Sequence, residues 1–508
     1  MKQIQKWDLF EAAVHGKSAG NPFLDYDITG TFTGEYESVT VHGFYDGEGI
    51  YRVRFMPSFE GRYTYTIHGS AMDSTETGEF EATAPQGNNH GPVRTVEDTL
   101  LGYADGNPYY SIGTTCYAWV NQTMALQEQT LKTLAASPFN KIRFCFFPKF
   151  YEFNTREPLT YPFERGSGEG LNPRLIEIHR NRPHWPGEPE TEMDFSFDYT
   201  RPNVEHFRRF DLRIRQLMDL GIEADLILMH PYDRWGMNEM DADTCDAYLR
   251  YVTARYGAFR NVWWSLSNEY DFIPTKTAED WERYGELIAA NDPYHRMCSI
   301  HNGIKYYDYS RPWVTHLSLQ RVDFYRTTEY TDEYIEKYHK PVVWDEICYE
   351  GNISLGWGNI TAQELVRRFW EAFLRGGHAG HGETFLDEND ILWWSHGGVL
   401  KGESAPRLAF LKKIMEQTPG RGIRRTQGLF DEVAGCALDA KDDYRIHYLG
   451  LCRPMYRMLL LPENEDFAVD IIDTWNMTIT SVGTHRGITK IDLPGNQYMA
   501  IRVRRANA

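Results

Sequence analysis

Between residues 1 and 90 apolar and polar positions alternate in short runs, as in Ser38-Val39-Thr40-Val41-His42, Ile50-Tyr51-Arg52-Val53-Arg54-Phe55 and Arg62-Tyr63-Thr64-Tyr65-Thr66-Ile67. A period of two, broken by Gly, Asp and Pro clusters about every ten positions, predicts an N-terminal β-sandwich. The polar stretch 84–92 reads as a linker. The rhythm then changes. Eight apolar runs, at 109–115, 141–147, 224–230, 262–267, 297–301, 314–319, 341–346 and 379–385, alternate with helical patterns. One such pattern is Val204, Phe207, Phe210, Ile214, Leu217 and Leu220, spaced by three and four. Thr361-Ala362-Gln363-Glu364 predicts a capping box opening another helix. Eight strand–helix units favour a (β/α)8 TIM barrel over residues 91–424. The fifth and sixth units are weakest, with little helical pattern between 302 and 314. The segment between the second run and its helix is long and rich in Pro, Arg, Trp and acidic residues. A connection of that length is usually functional. From 425 to 508 the alternation returns, as in Phe467-Ala468-Val469-Asp470-Ile471-Ile472, and predicts a small C-terminal β-sandwich.

Composition narrows the functional classes. Hydrophobic residues make up 42% of the chain and charged residues 25%, which excludes global disorder. The 53 Lys and Arg stand against 72 Asp and Glu, a net charge of −19 that repels phosphate backbones and argues against nucleic acid as a partner. No apolar run is long enough for a membrane span, and the N-terminal stretch lacks the apolar core of a signal peptide. Seven scattered cysteines with no CxxC pair suit reduced thiols, so a cytoplasmic protein is expected. Many of the 32 Tyr and 14 Trp must be core, and a surplus of them also suits a protein that stacks on sugar rings. The Gly16-Lys17-Ser18-Ala19-Gly20 match to a nucleophile elbow falls in β-rich sequence, not on a strand-to-helix turn, and is discounted. Homo-oligomeric assembly is left open by these features.

In a TIM barrel the active site forms at the C-terminal ends of the strands. The residues expected there are Trp119 beyond strand one, Arg143 on strand two, and His230, Tyr232 and Asp233 after strand three. Asn268 and Glu269 follow strand four, His301 and Asn302 strand five, and Gln320 strand six. Trp344 and Glu346 end strand seven, and Glu383 and Trp394 follow strand eight. Glycoside hydrolysis requires two carboxyl groups, one protonated acid and one ionised nucleophile or base. Glu269 and Glu346 both follow very apolar strands and supply that pair. Glu383 is the rival carboxylate.

These strand ends resemble clan A, or 4/7-superfamily, glycoside hydrolases. The resemblance implies Glu269, after Asn268 on strand four, as acid/base and Glu346 on strand seven as nucleophile. It further implies that Arg143 holds the nucleophile and that Asn268 bonds the sugar 2-hydroxyl. The opening Tyr103-Ala104-Asp105-Gly106-Asn107-Pro108-Tyr109-Tyr110-Ser111-Ile112-Gly113 is similar to that of a cellulase-like subset including apiosidase-type enzymes, which also carry flanking β domains. Two departures stand out: His316 and Gln320 replace a common strand-six Tyr, and Glu383 and Phe385 replace a common strand-eight Trp. The expected activity is retaining hydrolysis of a terminal pyranoside or furanoside without cofactor, with a small carbohydrate substrate expected from the lack of an export signal and exo action from the long segment after strand two. An inactive carbohydrate-binding barrel is the alternative. A metal-dependent enzyme, suggested by His378, His381 and Glu383, is disfavoured by the lack of HExxH.

Overall fold

The computed structural model describes residues 1–184, 188–321, 323, 325–428 and 432–506. The eight strands expected of the barrel are present: β1 (Ile112–Thr115), β2 (Lys141–Cys145), β3 (Glu223–Ile227), β4 (Val262–Ser265), β5 (Cys298–Ser299), β6 (Leu317–Gln320), β7 (Val342–Glu346) and β8 (His378–His381). They form one eight-stranded sheet in the order β5-β4-β3-β2-β1-β8-β7-β6, a nearly closed TIM barrel. The strands are shorter than the apolar runs, which continue into the adjoining loops. β5 has only two residues, and 302–314 holds no helix. There the chain is held instead by Thr315, whose N–H donates to the Cys298 carbonyl at 2.8 Å and whose hydroxyl accepts the Cys298 N–H at 2.8 Å.

The chain divides into two compact units. The first comprises residues 1–94, 116–131 and 142–315. Its N-terminal part has a five-stranded sheet, ordered Lys2–Gln5, Glu76–Thr83, Gly61–His68, Thr29–Thr33, Ser38–His42. A second sheet joins Phe10–His15, Ile50–Phe55 and Phe44–Tyr45. Phe32 and Phe80 of the first sheet pack against Phe55 and Phe10 of the second. Phe10 stacks on Phe80 at 4.2 Å and Phe32 on Phe55 at 4.3 Å. Such ring pairs add to plain area burial.

Buried charges join this β region to two barrel helices, Val204–Asp219 and Ala242–Tyr256. Arg54 pairs with Asp211 at 2.8 Å and with Glu11 at 2.8 Å, while Arg255 pairs with Asp211 at 2.6 Å and Asp46 at 2.9 Å. Burial pushes the Asp211 carboxyl up, but the Arg54 and Arg255 guanidiniums outweigh it and hold it down at about 2. A depressed carboxyl stabilises the fold above its unfolded value and loses that contribution as pH falls from about 4 toward about 2. Asp211→Asn is therefore expected to flatten the acid limb of stability over that window, a difference of about 2 kcal/mol. Urea unfolding of both proteins between pH 2 and 7 reads it. An acid limb equally steep in the variant would refute the assignment.

The insertion after β2 belongs to the same unit. It is not an open loop: Phe163–Arg165 pairs antiparallel with Phe197–Pro202, and the helix Pro173–Arg180 is capped by Asn172, whose side chain accepts the Arg174 N–H. Residues 185–187 of this segment lie outside the described residues.

The second unit comprises residues 95–115, 132–141 and 316–508. Its C-terminal part has a six-stranded sheet, ordered Ile423–Thr426, Val433–Ala437, Tyr444–Tyr448, Met499–Arg505, Phe467–Asp473, Thr478–His485, and a two-stranded pair, Tyr456–Leu460 with Ile488–Asp492. Leu449, Phe467, Val469, Ile501 and Val503 are buried in its core. Tyr448 stacks on Trp370 of the helix Ala362–Leu374 at 5.4 Å. That helix starts where the sequence predicts, with the Thr361 side chain accepting the Glu364 N–H. The carboxylate of Glu364 turns instead to Arg367 and Arg368, each at 2.8 Å.

Candidate active site

In the first unit the side chains converge on Glu269. The chain leaves β4 through Leu266, Ser267 and Asn268 and reaches Glu269 at φ 45°, ψ 52°, in the left-handed region. Such backbone is unfavourable for a residue with a Cβ and clusters where function over-determines geometry. Two donors fix the carboxylate. Tyr232 Oη donates to Oε2 at 2.5 Å and Asn268 Nδ2 donates to the same oxygen at 2.9 Å. Asn268 is oriented from behind: its Oδ1 accepts from Arg143 Nη2 at 3.2 Å and from Tyr117 Oη at 3.3 Å. Arg143 Nε in turn lies 3.7 Å from the buried Asp225. Asp225 to Arg143 to Asn268 to Glu269 is thus one chain of contacts, drawn from β3, β2 and the loop after β4.

The loop after β3 is set by its own polar residues. His230 Nε2 meets the Phe147 carbonyl at 3.2 Å, and its Nδ1 accepts the Tyr232 N–H at 3.2 Å. Burial, and then the Lys149 charge, push this imidazole down to about 3. It is neutral, both nitrogens are committed to backbone, and its visible task is to aim Tyr232. Asp233 accepts the N–H groups of Trp235 at 2.7 Å and Asn238 at 2.8 Å. Burial, and then the nearby Glu239 charge, push its carboxyl up to about 7. His301 and Asn302 are buried after β5; Asn302 Nδ2 donates to the Gly303 carbonyl at 3.1 Å. Trp119 is fully buried and packs edge-on against Phe144, as a core residue does.

A groove of about 580 Å³ runs beside Tyr232 and Asp233, walled by Phe150 and by His179, Arg180 and Glu188 of the insertion. That volume is within the range of small-ligand sites.

The second unit presents the other carboxylates. Asp345 and Glu346 are adjacent on β7 but differ in environment. Asp345 is fully buried, with Lys141 Nζ at 2.6 Å and Ser318 Oγ at 2.6 Å. Glu346 is 8% exposed and so reaches solvent. The register explains how both fit. Ser318 pairs with Val343 but Gln320 pairs with Glu346, so β7 carries one extra residue there. Such a bulge interrupts the alternation and re-aims the following side chain. Trp344 falls on the outer side, where its indole N–H donates to Thr331 Oγ1 at 2.8 Å. It is therefore turned toward the helix layer. Gln320 is half-buried at the end of β6. Glu383 is buried, with Oε2 accepting the Lys401 N–H at 2.8 Å and Oε1 3.7 Å from His381 Nε2. Trp394 packs on Trp357 at 5.0 Å and on Tyr349 at 5.8 Å.

The sequence places Tyr117 on the rim beyond strand one and Asp225 as a buried acid inside strand three, but does not single out Lys149. The signal for Lys149 was a lone cation directly after the apolar run of β2, at Phe146-Phe147-Pro148-Lys149. Among the described residues no cluster of three or more His, Cys, Asp or Glu could hold a metal ion, and no helix is long and apolar enough to cross a membrane.

Comparison with known proteins identifies the family. The model of the apiosidase-like catalytic domain matches residues 96–420. Two domains of unknown function, DUF5060 and DUF5605, match residues 3–70 and 431–504. No curated protein matches the chain. The solved structure of a putative glycoside hydrolase from Bacteroides vulgatus ATCC 8482 is 34% identical, with a TM-score of 0.88 over 100% of both chains. A glycoside hydrolase family 5 protein from the same organism is 14% identical, with a TM-score of 0.61 over 83% of this chain and 95% of that one, a likeness of fold alone. The chain belongs to the apiosidase-like family, and it is a glycoside hydrolase.

Proposed function

We propose that the protein is an exo-acting, retaining glycosidase that removes a terminal sugar from a small oligosaccharide or glycoside, with residues 91–424 as its catalytic domain. Glu269 is the acid/base and Glu346 the nucleophile. The observation that carries this reading is the setting of Glu269: a strained backbone, and a carboxylate held by Tyr232 and Asn268 on one oxygen. As Glu269 gives its proton to the leaving oxygen, negative charge develops where these two donors already point. Groups that bind the developing charge better than the starting acid lower the barrier. Glu346 attacks the anomeric carbon, and Glu269, now ionised, takes a proton from the water that releases the sugar. Two inversions give net retention. The groove beside Tyr232 lies on the acid/base side and suits the leaving group. The walled insertion supports action at a chain end.

The test is a panel of aryl pyranosides and furanosides of both anomers, with the first-formed sugar followed by proton NMR. One glycoside is expected to be cleaved to a product of the same anomeric configuration. An inverted product would overturn the double displacement. Release of internal fragments from an oligosaccharide would overturn exo action. Sugar binding without cleavage of any substrate would favour the carbohydrate-binding alternative.

A further inference from the structure

Beside the acid/base assembly, over the Tyr232 ring, lies a side chain with no role in that scheme, Lys149. It follows β2, is almost wholly buried, and lies among three tyrosine rings. Its ammonium is 3.6 Å from the centroid of Tyr117, 4.1 Å from Tyr232 and 4.2 Å from Tyr151. The box is anchored by backbone. The Lys149 carbonyl accepts Asn154 Nδ2 at 2.6 Å, and the next N–H, of Phe150, donates to the Tyr232 carbonyl at 2.9 Å. A backbone hydrogen bond thus ties the loops after β2 and β3 beside the ring that carries the cation.

We infer that Lys149 is a positioning residue for the acid/base: its charge over the Tyr232 ring strengthens the hydrogen bond from Tyr232 Oη to Glu269 and so sets the pH at which Glu269 changes protonation. This rests on the reading of Glu269 as acid/base. A cation on the face of a phenol draws electron density from the ring and makes its hydroxyl a better donor. A better donor to the ionised carboxylate favours that form. Lys149 lies over the three rings and its charge acts on His230, which is neutral. Glu269 faces Tyr232 and Asn268, with Arg143 and then Asp225 behind Asn268. Tyr117 belongs to both groups, since its ring carries Lys149 and its hydroxyl meets Asn268.

The measurement is the titration of Glu269 by carbon NMR of protein labelled at the glutamate carboxyl, its resonance identified by loss in Glu269→Gln. Lys149→Met is expected to raise the midpoint by about one pH unit. Lys149→Arg, which keeps a cation over the ring, should restore most of it. Tyr232→Phe keeps the ring and loses the hydroxyl, so it too should raise the midpoint. In that background Lys149→Met should add little. An unchanged midpoint in Lys149→Met overturns the inference, as does a full shift that persists in Tyr232→Phe. If Lys149→Met does not fold, Lys149→Gln carries the same readings. The titration needs no turnover, so it decides this point even where the glycoside panel is silent. An active enzyme with no shift would refute this point alone.

Discussion

Glu346→Gln is expected to lower kcat on any glycoside that the wild-type protein cleaves by about a thousandfold or more. The amide is nearly isosteric but a far poorer nucleophile, so the first displacement loses its attacking group while the site keeps its shape. Substrate binding should survive, and KM or inhibitor affinity should change far less than kcat. Steady-state kinetics with an aryl glycoside checks both quantities. Retained turnover would move the nucleophile elsewhere, with Glu383 the first alternative. The Lys401 N–H already occupies one oxygen of the Glu383 carboxylate. Glu383→Gln is accordingly expected to leave much more activity than Glu346→Gln.

Asp345→Ala is expected to be the most destabilising of the single changes considered, by about 3–5 kcal/mol. Lys141 and Asp345 form a fully buried ion pair, and the Ser318 hydroxyl also donates to Asp345. Removing one partner strands a charge where water cannot reach it, and the cost is the desolvation of that charge. The pair itself contributes little over well-packed apolar residues, so Lys141→Met with Asp345→Leu should recover most of the loss. Urea unfolding followed by tryptophan fluorescence gives the three stabilities. Equal stability of Asp345→Ala and wild type would mean that Lys141 finds another partner or water. Because Asp345 directly precedes Glu346 at the bulge, the single variant should also lose activity, and the paired variant should show how much of β7's geometry depends on the ion pair.

Much of the molecule could be read along the chain. The eight barrel strands were legible because parallel strands buried on both faces leave near-continuous apolar runs, and all eight appear in one sheet. The strands at both ends of the chain were legible from alternation, and the weak stretch at 302–314 is indeed without helix. What the sequence could not show was direction. Trp344, Asp345 and Glu346 read as three neighbouring rim residues. In the structure one turns to the helix layer, one is buried against Lys141, and one reaches solvent, because a single extra residue in β7 changes the alternation. Trp119 read as a sugar-facing aromatic but fills the core, since an aromatic side chain suits either task equally.

By itself, then, the sequence determined the barrel, its order of strands along the chain, and the candidate carboxylates after β4 and β7. These follow from local periodicity and from residue types at strand ends, which neighbouring positions are enough to specify. Only the tertiary structure decided which polar groups meet. The chain from Asp225 through Arg143 and Asn268 to Glu269, the aim of Tyr232, and the tyrosine box around Lys149 join residues from different strands and loops. Contacts of that kind depend on how distant segments fold against one another, and no local pattern encodes them.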